Sequence, residues 1–531
     1  MNKWNVKADG RQMSPRQIID TIFVNRGILK VNRFLNPTVN DLIPFAQMKN
    51  IDIVAKAIIE GIQKHKTFTI HFDVDVDGCS SGAIMYRYLS HFTDKLHWQI
   101  NKGKIHGIGG LNLDCPTDIL IVVDSINEYE DYKKLHNQVN DIVVLDHHII
   151  PDSVLKSDLK LVSSANDYPN NQLSGAGVVW KVCKYLDTLM STNYADELAD
   201  LATCGIIADM CSVDKLHMEN RYICSLGLSN LKNIGIKQIL KNYQFNAESV
   251  SYSIAPLVNS ACRMGNNELS AKLFISDDKK VVQDCIKKLQ ELKTQQKEEV
   301  DKWTVKLTSQ VEHQKEHKYL FLCIESDSGI AGLIANQMMR QYHKPCFVVQ
   351  NYGDIYRGSC RGLGENFKEV VNKTQLAETG GHENAFGISI LKKDIEQFKQ
   401  QLDKLLLTYK FSEQVDIDIQ LNVNQITHQL IKKLQSINFI SGQDFQPISV
   451  LISGIDNYTL SSLGNGKHLK IQTDDIDFIK WNFKGETSEF DNTNCYKSLS
   501  FVGTLSENCF RGKYNKQLII DDYSIEEGLD I

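Results

Sequence analysis

The residues of this chain best suited to chemistry are acids and histidines that stand where apolar runs stop. DIVVLDHH (Asp141–His148) ends in an acid and two adjacent histidines. HFDVDVDG (His71–Gly78), ILIVVDS (Ile119–Ser125) and CGIIADM (Cys204–Met210) end the same way, in carboxylates. If the four runs lie side by side, Asp75, Asp77, Asp124, His147, His148 and Asp209 converge. A set of carboxylates and imidazoles with no thiolate suits Mn²⁺ or Mg²⁺ better than structural zinc. Taken singly, an Asp in such a place is often a helix N-cap or a turn former, and a buried histidine pair is often structural. The joint pattern argues otherwise. Asp73, Asp75 and Asp77 fall within five residues, and their repulsion is costly unless a cation neutralises it.

The elements that must position these groups follow from periodicity. Each Ile/Val-rich run reads as a buried strand of a parallel sheet, and ligands are expected in the crevice at the carboxyl ends of such strands. Helical stretches such as Ile51–Lys64, Ser80–Phe92, Gly177–Met190 and Glu197–Ala208 alternate with them, which predicts an α/β unit over residues 51–278. Residues 1–50 read as a helical entry segment. Residues 279–317 lack Gly and Pro; Ile286, Leu289 and Leu292 mark one apolar stripe, Val300, Trp303, Leu307 and Val311 another. The polar KTQQKEE between them predicts a linker helix that bridges two units through solvent. A second α/β unit is expected over 318–413, with Gly-rich sites RGSCRG and TGGHENAFG. Residues 414–531 hold short alternating strands, the pattern of a small β-barrel.

The bulk properties bound the function. The chain has 531 residues, 42% hydrophobic and 23% charged, with a net charge of −6. That is ordinary globular material for several cores. The acidic balance does not suggest a nucleic-acid coat protein, but it leaves room for a basic groove on an acidic body. Thirteen cysteines, an odd number with no Cys-x-x-Cys, fit a reducing compartment and argue against a zinc ribbon. No apolar run approaches a membrane span, and MNKWNVKADG has no signal-peptide core. The expectation is a soluble, unprocessed cytoplasmic protein.

With these motifs in place, the chain resembles a RecJ-type single-stranded-DNA-specific exonuclease of the DHH phosphoesterase superfamily over nearly its whole length. DVDVDGCSS, IVVDS, LDHHIIPD and DLATCGIIADM resemble the family's four motifs in order. LSGAGVVWKV (Leu173–Val182) and APLVNSACRMG (Ala255–Gly265) resemble two further RecJ segments, the second ending in a phosphate-facing Arg. GSCR and GGH stand where a DHH-associated domain has them, and FVGTLSENCFRGKYNKQLIIDD (Phe501–Asp522) resembles the RecJ OB-fold. The chain departs from the family at three places. Lys102 and Lys104 stand where an Arg is usual, and a Lys cannot clamp a phosphate bidentately. Cys262 replaces a Gly before Arg263, and FISGQDFQP (Phe439–Pro447) matches its family stretch weakly.

The resemblance implies a two-ion phosphodiesterase. Asp124 would bridge the ions, with Asp77, His147 and Asp209 on one and Asp75 on the other. His71 is a further candidate for that second ion, since other branches of the superfamily ligate at that spacing; a buried strand histidine is the equal alternative. Asp73 and Asp146 would orient ligands, and His148 and Arg263 would face the scissile phosphate. Ser359, Arg361, Gly380, Gly381 and His382, with Lys102 and Lys104, would form a phosphate or nucleotide pocket. Phe510, Arg511, Lys513 and Tyr514 would grip the strand; Tyr458, Lys467, His468 and Trp481 are weaker candidates, and Trp481 is expected to be packing. The implied reaction is metal-dependent 5′→3′ exonucleolysis of single-stranded DNA in recombination or repair. Implied partners are single-stranded DNA, a RecQ-like helicase and a single-strand-binding protein, with no membrane. Two alternatives stand beside it: a phosphodiesterase on short oligonucleotides or cyclic dinucleotides, and a non-catalytic single-strand binder.

Overall fold

The computed structural model describes residues 3–527 except 166, 327, 412–413, 465, 484, 486, 491–496 and 511. Among them are three principal sheets. The first is five-stranded and wholly parallel, in the order Leu96–Ile100, Phe68–Phe72, Ile119–Val123, Asp141–Asp146, Lys160–Ser163. Its three inner strands, FTIHF, ILIVV and DIVVLD, are buried almost throughout. Such continuous burial is what covered faces of a parallel sheet require.

Three of the four apolar runs are strands of this sheet, and the fourth is not. Cys204–Met210 closes the helix Ala199–Ala208, with Asp209 as its C-cap. The sequence offered both a strand over Cys204–Met210 and a helix over Glu197–Ala208; the strand is wrong and the helix holds. The helix is buried all round, so its sequence carries no amphipathic period to separate it from a buried strand. It packs against the helices Val76–Leu89, Gly175–Met190 and Met218–Ser229.

The helix Lys279–Lys306 leads to a five-stranded mixed sheet ordered Ala377–His382, Ala385–Leu391, Ile355–Arg361, Cys346–Tyr352, Leu320–Cys323. The helix stops short of residue 317; a short helix, Thr308–Glu312, follows. Its polar middle is not wholly in solvent either, because Gln296 is buried. The third sheet has seven strands in the order Ile419–Leu421, Val450–Ile455, Lys497–Phe510, Lys513–Glu527, Asp477–Lys480, His468–Gln472, Thr459–Leu463.

The entry segment ties the first and third sheets together. Lys3–Val6 pairs in parallel with Gln414–Ile417, and Arg26 forks onto Asp418 at 2.7 Å through Nε and Nη2. One apolar cluster runs without a break from Ile18, through the parallel sheet, to Ile520. The mixed sheet has two clusters of its own. Arg221 sits at the junction, fully buried, donating to the carbonyls of Phe34, Val213 and Ile440 with the Phe34 ring 3.6 Å from its guanidinium carbon.

Candidate metal centre

The acids converge because the parallel sheet presents its strand ends on one edge. Asp73 follows Phe68–Phe72, Asp124 follows Ile119–Val123, and Asp146 ends its own strand with His147 and His148 beyond it. Asp75 caps the helix Val76–Leu89, accepting from Gly78 N at 3.1 Å, and Asp77 lies in the first turn. Asp124 adopts a left-handed backbone (φ 54°), which turns it sharply out of the strand direction.

Two neighbouring helices complete the cradle. Asp77 accepts the amides of Gly175 (2.7 Å) and Ala176 (2.9 Å), the first turn of Gly175–Met190. A carboxylate there is favoured by free N–H groups and the positive end of the helix dipole. Gly175 lets that turn approach closely: a Cβ would run into the Asp124 carboxylate. At Gly205 a Cβ would run into the Asp77 carboxylate. The helix Ala199–Ala208 thereby delivers Asp209 to the same cavity.

His147 Nε2 is the centre of the cluster, 3.2 Å from Asp124 Oδ1, 3.7 Å from Asp209 Oδ2 and 3.8 Å from Asp77 Oδ2. Three sets of donor atoms could each hold an ion: Asp77–His147–Asp209, Asp73–Asp75–Asp124 and Asp124–His147–His148. Asp124 belongs to two of them. Its Oδ1 is buried without a hydrogen bond, and an ionised buried oxygen in that condition calls for a cation. The donor set, hard oxygens with imidazole, fits Mn²⁺ or Mg²⁺.

The electrostatics agree. Burial, then the charges of Asp77, Asp75 and Asp73, raise the Asp124 pKa well above the ordinary carboxylate range. Asp75 is pushed up to about 6, chiefly by burial and then by Asp73 and Asp77. Burial also raises Asp209, followed by Asp77 and Asp75. Asp146 runs the other way. Burial opposes its ionisation, but the His148 hydrogen bond (Nδ1–Oδ1, 2.9 Å) and charge outweigh that and lower its pKa. The same bond pushes His148 up to about 9. His147 is lowered by burial.

His71 belongs to none of these sets. It is fully buried in the strand, its two ring nitrogens make no hydrogen bond, and desolvation lowers its pKa. Sequence reasoning missed His106. Its Nδ1 lies 2.6 Å from Asp73 Oδ2, and the next amide, Gly107 N, donates to Asp73 Oδ1 at 3.2 Å. The signal is a histidine inside the NKGKIHGIGG loop, where the lysines alone draw notice.

A basic group faces the acids. Lys104, Arg263 and Arg361 lie close enough to depress Lys104, first by desolvation and then by the two guanidinium charges. Among the described residues no carboxylate pairs with any of the three. Gly329 N donates to Arg263 O at 2.9 Å, and Gly329 packs on the Lys104 stem, so the cluster lies in the seam between the parallel and mixed sheets. The buried Cys262 thiol links the two groups, feeling Lys104 and Arg263 on one side and Asp75 and Asp73 on the other. Lys102 is exposed and acts on Glu268 instead. In the mixed sheet Ser359, Gly387 and Gly380 lie in one row, and Arg361, Ala385 and His382 in a row two further on, on the same face. Gly332, in the first turn of the helix Ala331–Tyr342, lies under Ser359 and Arg361. Gly381 takes φ 116° at the exposed end.

The strand-gripping candidates divide. Lys513 and Tyr514 are exposed at the tip of the Lys497–Phe510/Lys513–Glu527 hairpin. Phe510 is the last residue of its strand, and Arg511 lies outside the described residues. Tyr458 is buried, its hydroxyl bonded to Phe490 O. The expectation for Trp481 was wrong: it is 48% exposed. It falls just past Asp477–Lys480, where the chain leaves the sheet, and its ring stands edge-on to His468 at 4.9 Å.

Comparison with known proteins gives a consistent picture. Residues 67–206 match the family model for the DHH family, N-terminal domain, and residues 417–522 that for the RecJ OB domain. An SPbeta prophage protein of Bacillus subtilis, named as a single-strand DNA-specific exonuclease, is 27% identical over 95% of each chain. The single-stranded-DNA-specific exonuclease RecJ of Bacillus subtilis is 24% identical over 98% of this chain and 70% of its own. The crystal structure of RecJ from Thermus thermophilus in complex with Mn²⁺ superposes with a TM-score of 0.78 at 21% identity, covering 99% of this chain and 80% of that one.

Proposed function

We infer, from the premise that this chain is a RecJ-type protein of the DHH family, that it is a metal-dependent exonuclease hydrolysing single-stranded DNA from the 5′ end. The observation that carries this reading is Asp124, which shares one donor set with Asp73 and Asp75 and another with His147 and His148, and whose Oδ1 is buried without a hydrogen bond. Asp77, His147 and Asp209 would hold one ion and Asp75 the other, with Asp124 between them. When bound, a pair of divalent ions activates the attacking water and stabilises charge on the phosphate and leaving oxygen.

The rest is done by the chain's own side chains. Asp146 holds His148 through Nδ1 and favours its protonated form, whose Nε2–H would donate to the scissile phosphate. Asp73 accepts from His106 and Gly107 and thereby sets the entrance to the cradle. Arg263, Lys104 and Arg361 are cations without carboxylate partners among the described residues, the arrangement expected of a pocket for the terminal phosphate of a strand. Ser359 and the glycine rows around Gly380 and Gly381 would add hydroxyl and amide donors. Trp481, Tyr514 and Lys513 would stack and neutralise the strand further along.

Among the described residues no helix is long and apolar enough to cross a membrane, and the cysteines of the described residues are free thiols. A cytoplasmic setting is part of the same proposal. A helicase or single-strand-binding partner belongs to the same proposal.

The test is metal-dependent degradation of a long single strand against that of a two- or three-nucleotide substrate. Activity lost on chelation and restored by Mn²⁺ at least as well as by Mg²⁺ is expected. Activity that survives exhaustive chelation would overturn the reading. Turnover confined to the shortest substrates would move the oligonucleotide phosphodiesterase ahead, and metal-dependent binding without hydrolysis would favour a non-catalytic binder.

A further inference from the structure

We propose that His106 is a substrate-contacting residue: its Nε2–H donates to a phosphate oxygen at the metal centre, as a partner to His148. This rests on the phosphodiesterase reading above and adds a residue to it. The geometry points to a matched pair of imidazoles. Each is held through Nδ1 by a buried carboxylate at the end of a parallel strand, His106 by Asp73 at 2.6 Å and His148 by Asp146 at 2.9 Å. Each is otherwise open, with side-chain exposures of 56% and 55%. Asp73 and Asp146 are themselves nearly inaccessible, at 3% and 0%.

Both anchored imidazoles border the same acidic cluster. Donor atoms of Asp73 and Asp75 lie within 4.8 Å of Asp124, and so do those of His147 and His148. A phosphate seated at Asp124 would lie near both Asp-anchored imidazoles. With Nδ1 engaged by a carboxylate, Nε2 is the free edge of each ring, and in the imidazolium form that edge carries an N–H that can only donate outward. Among the described residues His106 Nε2 has no hydrogen-bond partner.

The loop that carries His106 is pinned, so the ring is aimed. Asn101 Nδ2 donates to Ile105 O (3.1 Å) and Gly107 O (2.6 Å), closing the loop on itself. Asn267 Nδ2 then ties it to the Arg263 region through Asn101 O (2.6 Å) and Gly103 O (2.7 Å). A histidine serving only to orient Asp73 would not need its far edge left open to the cleft. Gly107 N already donates to the other Asp73 oxygen.

Two substitutions separate contact from support. Asn places an amide near the Nδ1 position and keeps a bond to Asp73; Gln places one near Nε2 and keeps the outward donor. Initial rates of His106→Gln and His106→Asn on a short 5′-phosphorylated oligonucleotide with Mn²⁺ are compared with wild type, with thermal melts to confirm folding. Calorimetry with inorganic phosphate and Mn²⁺ gives a second readout. The expected result is His106→Gln within about 5-fold of wild-type kcat/KM and His106→Asn down by about 10–100-fold, the range of a charge-assisted hydrogen bond. Phosphate affinity should fall in the same order. The reverse order would leave His106 as a support for Asp73 alone, and equal effects or none would also overturn the proposal. A wild-type protein that hydrolyses no nucleic acid would sink the phosphodiesterase reading instead, while the phosphate titration would still decide whether His106 contacts the anion.

Discussion

Two buried charge clusters share the helix Gly175–Met190 and are built on opposite terms. At Lys181–Glu219 both side chains are almost wholly buried, at 0% and 1% exposure. Glu219 also accepts from the Tyr168 hydroxyl (2.8 and 2.9 Å), Asn170 Nδ2 (3.0 Å) and Ile43 N (3.2 Å), and Lys181 donates to Ile43 O at 2.6 Å. The charge is neutralised and the donors are used inside the fold. At the metal centre Asp73, Asp75, Asp77, Asp124, Asp146 and Asp209 face three histidines, His106, His147 and His148, and burial drives His147 toward neutrality. Asp124 Oδ1 finds no hydrogen bond at all. A closed cluster joins the entry segment to the parallel sheet; an open one is a deficit that a ligand must fill. A buried charge is thus better read by what remains unsatisfied than by burial itself.

The sharpest way to break this contrast is Asp124→Asn. Hydrolysis should fall by about 10³-fold or more, because the shared carboxylate acts in both candidate ion sites. Metal-free stability should hold or rise, since a like charge has been removed. Retention of more than about a tenth of the wild-type rate by a folded variant would refute the two-ion assignment.

Glu219→Ala should show the converse. It leaves Lys181 buried and uncompensated, which costs about 3–5 kcal/mol in urea unfolding. Activity per folded molecule should be unchanged. A loss of kcat without a loss of stability would mean that the closed cluster serves the reaction after all.

pH separates the clusters next. Asp75, Asp124 and Asp209 are raised in the folded state, so between the ordinary carboxylate value and their folded values the folded chain holds more protons than the unfolded one. Stability therefore declines as pH rises. Metal-free melts should lose a few degrees from about pH 4 upward through pH 6, where Asp75 ionises. Saturating Mn²⁺ should flatten or reverse that slope, and a metal-free profile that instead rises over this interval would contradict the uncompensated acids.

The smallest effects belong to the third sheet. Trp481→Ala should weaken binding of a long single strand by about 1–3 kcal/mol, the worth of one stacked base, with little change in the rate on a short oligonucleotide. Lys513→Ala should lower the slope of log affinity against log salt by about one phosphate contact. Equal losses on long and short substrates would place both residues nearer the chemistry than the fold suggests.

Much of this was legible before the fold was known. The strands before Asp73, Asp124 and His147 announce themselves because a strand covered on both faces must be apolar at every position, and HFDVDVDG and LDHH interrupt that rule abruptly. Cys204–Met210 read both as a strand and as the end of a helix for the same reason, since a helix buried all round carries no period. Trp481 misled because composition reports that aromatics usually pack, whereas exposure depends on where the chain leaves its sheet.

The order of types along the chain determined the parallel sheet, its ligand edge and the donor chemistry, because local burial and charge repulsion act over a few residues. Only the tertiary structure decided which donors share an ion site. That depends on the first turn of Gly175–Met190 seating Asp77, on the absence of a Cβ at Gly175 and Gly205, and on the loop that brings His106 to Asp73. These contacts join residues tens of positions apart, and close packing, which acts through space, selects among them.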